Sequence, residues 1–412
     1  MAAVRLTAGW VLPIDQQPIR NGAVLTGPNG RILEVGPDVA VARPEGVVAR
    51  DFPDAAIVPG FVNVHTHLEL TAFAGQVEYD DFAVWIRRLR ELKDQSAPDA
   101  YLAAARRGLA DCWAGGVTTI ADTGDRGVVI RALAEGGASG VVYQEVFGPH
   151  PDQARESLDG LRTTVAELRR FESSRVRLGV SPHAPYTVSG PLYRMVGELA
   201  RSEGLPLAVH LAESRAETQL LRAEGPFAEA WQRRGIPLPS LPGRSPVAWL
   251  DEHGVLSDRT LCIHVVQVDA EDVDRLAAAG AAIAHCPLSN RRHGHGDAPL
   301  GALLAAELRV GVGTDSVVSV GRLDLLAEAR AARTLAGLSA ERALALVTLE
   351  GAKAIGLADE VGSLLPGKWG DVAILKLRGA NGTPAEQVLA TGSEDIVATY
   401  VGGRLVFGGH PA

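Results

Sequence analysis

The sequence predicts an α/β fold: a (β/α)8 TIM-like barrel with a small composite β-sandwich domain formed by both termini. Three observations predict it. Apolar, β-branched runs recur between residues 57 and 314, separated by Ala-, Leu-, Arg- and Glu-rich stretches at helical spacing. Both ends of the chain read instead as short strands joined by turns. Histidines and acids fall at or just past the C-terminal ends of the central runs, where a barrel gathers its active site. The 412 residues suit one large domain of ~250–300 residues and a smaller one. The expected division is 1–56 and 358–412 for the two parts of the sandwich and 57–357 for the barrel.

Near the N-terminus, Ala23-Val24-Leu25 leads through Gly27-Pro28-Asn29-Gly30 into residues 31–36. An Asn-Gly between apolar runs is a hairpin signal. Barrel strands are expected at 57–67, 118–122, 140–147, 176–182, 206–212, 261–266, 281–286 and 310–314. Helices are expected at 98–114, 153–171, 191–203, 270–279 and 323–336. Residues 371–375 and 396–407 then read as strands, with Gly402-Gly403 as a turn. Neither end could bury a core alone, so the two are expected to pair. The alternative is a doubly wound open sheet. It is weakened because no G-x-G-x-x-G follows an early strand and no G-x-x-x-x-G-K-[ST] occurs.

Composition excludes several function classes. A net charge of -9 argues against a general nucleic-acid binder. No apolar run approaches the ~20 residues a membrane helix needs. The start, Met1-Ala2-Ala3-Val4-Arg5, has no apolar core followed by a cleavage site. Cys112, Cys262 and Cys286 are too few and too scattered for a disulfide framework. A soluble, cytoplasmic protein is the expectation, with the oligomeric state open, a homodimer included.

His65-Thr66-His67 places two imidazoles on one side of a strand, because side chains alternate with period 2. Alone, the pair could be two ordinary histidines. Catalytic zinc needs three or four N/O/S ligands and an open position, and His210 and Asp315, also at strand ends, complete a set of four. Glu213, three residues past His210, reads as a proton-carrying carboxylate, or more blandly as an acid favoured at the start of a helix. His264 lies at the end of an apolar strand, where it could bind metal or polarise the water. His183 and His285 lead loops, and with Asn290 they could contact a polar ring, or merely cap those loops. His293-Gly294-His295 has no strand beneath it and reads as a mobile loop near the site mouth rather than a metal site. Cys286 reads as packing.

The combination resembles the amidohydrolase superfamily. The matching pieces are Val58-Pro59-Gly60-Phe61-Val62-Asn63-Val64-His65-Thr66-His67, His210-Leu211-Ala212-Glu213, Ile263-His264, His285-Cys286-Pro287-Leu288-Ser289-Asn290 and Gly313-Thr314-Asp315. Gly362-Ser363-Leu364-Leu365-Pro366-Gly367-Lys368-Trp369-Gly370-Asp371 is similar to that family's return to its small β domain. The nearest likeness is to the mononuclear-metal deaminase and chlorohydrolase branch. That likeness implies one divalent metal, zinc or iron, held at His65, His67, His210 and Asp315, with Glu213 as proton shuttle and His264 assisting the water. The dinuclear branches bridge two metals with a carboxylated lysine on a barrel strand. This chain has no lysine between Asp94 and Ala352, so that bridge cannot form.

His65-Thr66-His67-Leu68-Glu69-Leu70, Phe82-Ala83-Val84-Trp85-Ile86 and Gly313-Thr314-Asp315-Ser316 are similar to the aminodeoxyfutalosine deaminases of an alternative menaquinone route. The resemblance implies hydrolytic deamination of an aminated purine nucleoside-like ring. In that scheme Glu213, His264 and Asp315 are catalytic, and Glu69, His183, His285, Asn290 and Arg291 contact substrate. Glu69 would accept from ribose hydroxyls or a ring amine, and the 291–295 loop would pair with a substrate carboxylate. The alternatives are deamination of adenosine, adenosylhomocysteine, guanine, 8-oxoguanine or cytosine, and chlorohydrolase or amidase chemistry on the same site. More remote is a metal-free structural protein, which should have lost some of these ligands.

Overall fold

Strands from both ends of the chain share one sheet. The N-terminal side supplies β1 (Val4–Val11), β2 (Ile19–Thr26), β3 (Ile32–Pro37) and β4 (Val48–Pro59). The central strands follow: β5 (Phe61–Thr66), β6 (Val117–Gly124), β7 (Ser139–Val146), β8 (Val176–Pro182), β9 (Leu207–Leu211), β10 (Thr260–His264), β11 (Ala282–His285) and β12 (Arg309–Val312). The C-terminal side supplies β13 (Val372–Lys376), β14 (Ile396–Val401) and β15 (Arg404–Gly408). These come from a computed structural model that describes residues 2–77, 81–239, 245–379 and 381–409.

The smaller sheet runs β15-β14-β13-β4-β1-β2-β3, so β13 and β4 join the two termini as antiparallel neighbours. The expected hairpins are present: β2 pairs with β3 around Asn29-Gly30, and β14 with β15 around Gly402-Gly403. The larger sheet holds eight strands in chain order, β5 to β12. Its pairs are parallel, as crossover helices demand. Backbone and side chain together close the ring. Asp315 N donates to His65 O at 3.0 Å, and Asn63 bonds Thr314 through both its amide oxygen and its amide nitrogen. The approach is close enough to require Gly313, where an added Cβ would lie 2.7 Å from His65 N.

The barrel interior is filled by alternate strand residues, among them Val62, Val64, Val141, Tyr143, Leu261 and Ile263. A larger apolar layer lies between strands and helices. The expected single run 57–67 is split: residues 57–59 pair with β13 in the smaller sheet, and the barrel starts at Phe61. The break falls at Gly60, where a Cβ would sit 2.2 Å from Thr118 Oγ1. Helix Pro98–Ala114 has the expected bounds, and Gly190–Glu203, Ala270–Ala278 and Leu325–Ala336 fall within two residues of them. An additional helix, Phe82–Gln95, starts at Asp81, whose side chain accepts from Val84 N. Among the described residues no helix is long and apolar enough to cross a membrane.

Candidate metal centre and active site

The C-terminal ends of β5, β9, β10 and β12 bring together His65, His67, His210, His264 and Asp315. Ring centroids lie 4.8 Å apart for His65–His67, 5.0 Å for His65–His210 and 5.4 Å for His67–His210. His65 Nε2 and His67 Nε2 are each 3.5 Å from Asp315 Oδ1. The potential ligand atoms of His65, His67 and Asp315 lie within 4.8 Å of one another, as do those of His65, His210 and His264.

Each side chain is oriented from behind. His210 Nδ1 donates to the His183 carbonyl at 3.1 Å, which leaves Nε2 as the lone-pair nitrogen. His264 Nδ1 donates to Asn290 Oδ1 at 2.9 Å. Thr123 Oγ1 lies 3.3 Å from His67 Nδ1. Asp315 accepts from Ser289 Oγ and from Ser316 N. The backbone is strained where it delivers these groups. Ala212, His264, Val265 and Asp315 have φ of 50°, 74°, 50° and 60°, a region costing about 1–3 kcal/mol for residues other than glycine.

Protonation suits metal binding. Burial holds the His65 and His210 imidazoles below their ordinary range and His67 at about 3, so each ring is neutral at neutral pH and keeps one lone-pair nitrogen free for a metal. Burial would raise Asp315, but the imidazoles of His65, His67 and His264 around it hold its carboxyl well below the ordinary range. His65 Nε2 is buried without a hydrogen-bond partner. An orphaned imidazole nitrogen within a set of neutral histidines and one carboxylate fits a divalent cation with nitrogen and oxygen preference.

Glu213 is 4% exposed and stands beside this cluster. Its Oε1 lies 3.7 Å from His264 Nε2 and 3.3 Å from His295 Nε2. Burial would raise its pKa, but His264 and His295 overturn that and hold it at about 2. Glu217 supports it from behind, accepting from Ala212 N and Glu213 N.

The centre opens into a cavity of about 380 Å³. His67, His183, His210, Glu213, His264, His293 and Asp315 line it, together with Phe82, Trp85, Ile86 and Leu89 from the additional helix. Four expected contact residues lie outside that lining. Glu69, 1% exposed, is held by Lys93 Nζ at 3.3 Å and by Asp125 N and Arg126 N. His285 is buried with neither ring nitrogen partnered. Asn290 sits behind His264. Arg291 pairs with Asp297 at 2.7 Å on the surface. The loop read as mobile is instead packed inward, His293 against Trp85 at 4.6 Å and His295 against Phe82 at 4.5 Å.

Sequence reasoning missed the additional helix Phe82–Gln95, which roofs the cavity, and Glu145 and Arg234, which also line it. A signal existed for the helix: Phe82, Trp85, Ile86 and Leu89 recur at helical spacing behind an Asp at the N-cap position.

A parallel barrel that gathers three histidines and a carboxylate, able to hold a metal ion, at its strand ends is the arrangement expected of a metal-dependent hydrolase. The chain belongs to the amidohydrolase family, whose model matches residues 56–406. It is 35% identical over 331 residues to an aminodeoxyfutalosine deaminase of Deinococcus radiodurans, covering 74% of this chain and 76% of that protein. A 5-methylthioadenosine/S-adenosylhomocysteine deaminase of Symbiobacterium thermophilum is 29% identical, across 99% of this chain and 94% of its own length. Among solved structures, an adenosine deaminase from Xanthomonas campestris with bound zinc superposes with a TM-score of 0.82 at 25% identity, over 98% of this chain and 92% of that one. The chain is therefore an enzyme, a divalent-metal hydrolase of carbon–nitrogen bonds other than peptide bonds, acting on a small molecule.

Proposed function

We propose that the chain deaminates a 6-aminopurine nucleoside by hydrolysis, with aminodeoxyfutalosine as substrate. The observation that carries the reading is Glu213: a buried, ionised carboxylate beside the metal cluster, with His264 3.7 Å away. The similarity to the Deinococcus deaminase supports the choice of substrate.

His65, His67, His210 and Asp315 would hold the metal, which when bound supplies Lewis acidity that brings water's pKa toward ~7. Glu213 takes one proton of the attacking water and passes it to the ring nitrogen beside the attacked carbon. His264, fixed by Asn290, holds the attacking oxygen together with Asp315. Glu213 then carries the second water proton to the amine, so that ammonia leaves and a ring carbonyl remains. His183, its Nδ1 2.8 Å from Thr187 Oγ1, meets the ring from the cavity wall. Glu69, His285 and Asn290 act from behind that wall, as positioning groups.

The cavity rim carries Arg90, Arg126 and Arg234. Arg126 lies 3.4 Å from Asp125 and Arg90 4.0 Å from Asp94, whereas Arg234 makes no ion pair among the described residues. We assign the substrate carboxylate to Arg234 in place of Arg291. The test is product release from a panel of adenine nucleosides, aminodeoxyfutalosine, guanine, cytosine and chlorinated or amide analogues. Ammonia from aminodeoxyfutalosine, at a higher kcat/KM than from adenosine, is expected. A preference for guanine or cytosine overturns the substrate, and release of halide or carboxylate instead of ammonia overturns the reaction.

A further inference from the structure

We propose that His295 is a positioning residue for the Glu213 carboxylate, held in place by the aromatic face of helix Phe82–Gln95. The inference rests on the reading of Glu213 as the proton carrier. It gives a task to the second His-x-His of the chain, which neither the metal cluster nor the cavity chemistry uses.

His295 is 8% exposed, and its buried Nε2, which has no hydrogen-bond partner of good geometry, lies 3.3 Å from Glu213 Oε1, within ion-pair distance. The ring is turned inward by its flanks. Gly294 and Gly296 have φ of 69° and 98°, a left-handed backbone that glycine adopts without strain. Backbone bonds pin the residue between them: His295 N donates to Asn290 O at 2.9 Å, and His295 O accepts from Gln267 Nε2 at 2.7 Å. Phe82 meets the imidazole edge-on at 4.5 Å and 87°, and His293 stacks on it at 5.5 Å.

Asn290 joins the two imidazoles that reach Glu213. Its side chain fixes His264 and its carbonyl fixes His295. Both imidazoles address the same oxygen, Oε1, at 3.7 and 3.3 Å. A carboxylate held through one oxygen keeps a single orientation and leaves Oε2 for the moving proton. Holding a reacting group to this tolerance matters, since an error of about 1 Å can cost ~10²-fold in rate. Helix Phe82–Gln95, which roofs the cavity, thereby also buttresses the base.

The test compares His295→Leu, which keeps volume without a polar atom, with His295→Gln, which returns an N–H near the position of Nε2. His295→Leu is expected to lower kcat by ~10–100-fold, with KM changing less than about threefold and metal content unchanged. His295→Gln is expected to recover most of the loss. Equal loss in both variants, or a change in KM alone, overturns the proposal in favour of packing or substrate contact. Glu213→Gln separates the two readings. If it turns over like wild type, the proton-carrier reading itself fails. If it is dead while His295→Leu is normal, only the role of His295 fails. A second readout needs no turnover. In protein labelled with 15N-histidine, the His295 Nε2–H resonance is expected to be protected from solvent exchange in the wild type and exposed in Glu213→Ala. Identical exchange in both overturns the contact.

Discussion

The floor and the roof of the active-site cavity are built by different means. The floor is made at strand ends, where His65, His210 and Asp315 are 1%, 4% and 6% exposed and strained backbone is held by the closed barrel. The roof is one helix, Phe82–Gln95, in which Trp85 alone is buried and whose apolar residues face the cavity. Strand register leaves the floor little freedom, whereas a helix resting on side chains can be retuned one residue at a time. On the proposed function, we assign reaction to the floor and discrimination to the roof. Changes to the floor should then cost every substrate alike, and changes to the roof should depend on which substrate is offered.

The largest effect tests the floor. His210→Ala is expected to abolish both metal retention and turnover, with one equivalent of metal per chain in the wild type. Metal content and kcat should fall together on every substrate of the panel. Two equivalents at full activity would break the single-centre reading. Next comes Glu213→Gln, expected to keep its metal and lose ~10²–10⁴-fold in kcat, because an amide cannot take the water's proton. Loss of metal in that variant would make Glu213 a ligand.

The same contrast explains what was legible in the sequence. Barrel strands read well because β-branched runs bounded by turns are a local signal, and His-x-His at period 2 fixes a face without knowledge of the fold. His210, His264 and Asp315 could be placed with them because every barrel strand ends at one rim. The smaller sheet also read correctly from its Asn-Gly and Gly-Gly turns. The boundary at Gly60 did not, since an unbroken apolar run hides a change of sheet that only the Gly60–Thr118 contact enforces. Glu69 misled for a related reason: two residues past His67 it looks aimed at the pocket, but Lys93, from a helix 24 residues later, and the Asp125 and Arg126 amides hold it behind the lining. His295 was invisible as a site residue because Gln267 and Phe82, remote in sequence, decide where its ring goes.

A roof or rim change should discriminate. Arg234→Ala is expected to lower kcat/KM for aminodeoxyfutalosine by ~10–150-fold, the worth of a charge-assisted contact of ~1.5–3 kcal/mol. Adenosine, which lacks the carboxylate, should be unaffected, and rising salt should narrow the gap between the two substrates. Equal loss on both would turn Arg234 into a structural residue and move the carboxylate elsewhere on the rim.

The smallest effect concerns how the roof is fastened. Lys93 reaches from the roof helix to Asp125 Oδ1 at 2.8 Å and to Glu69 Oε1 at 3.3 Å. Removing one partner of a fully buried pair costs about 3–5 kcal/mol. Here Lys93 and Asp125 retain side-chain exposures of 16% and 25%, and Glu69 keeps two backbone N–H donors. Lys93→Met should therefore cost less, about 1–3 kcal/mol, seen as a fall of a few degrees in Tm. Because the contact lies outside the metal cluster, metal content and kcat should hold while KM rises several-fold as the roof loosens. Adding Glu69→Gln removes the carboxylate left facing no cation, so the double variant should recover part of the Tm, a non-additivity expected of groups in direct contact. If Lys93→Met instead loses metal, the strain at the strand ends depends on the roof as well as on the barrel, and floor and roof act as one unit.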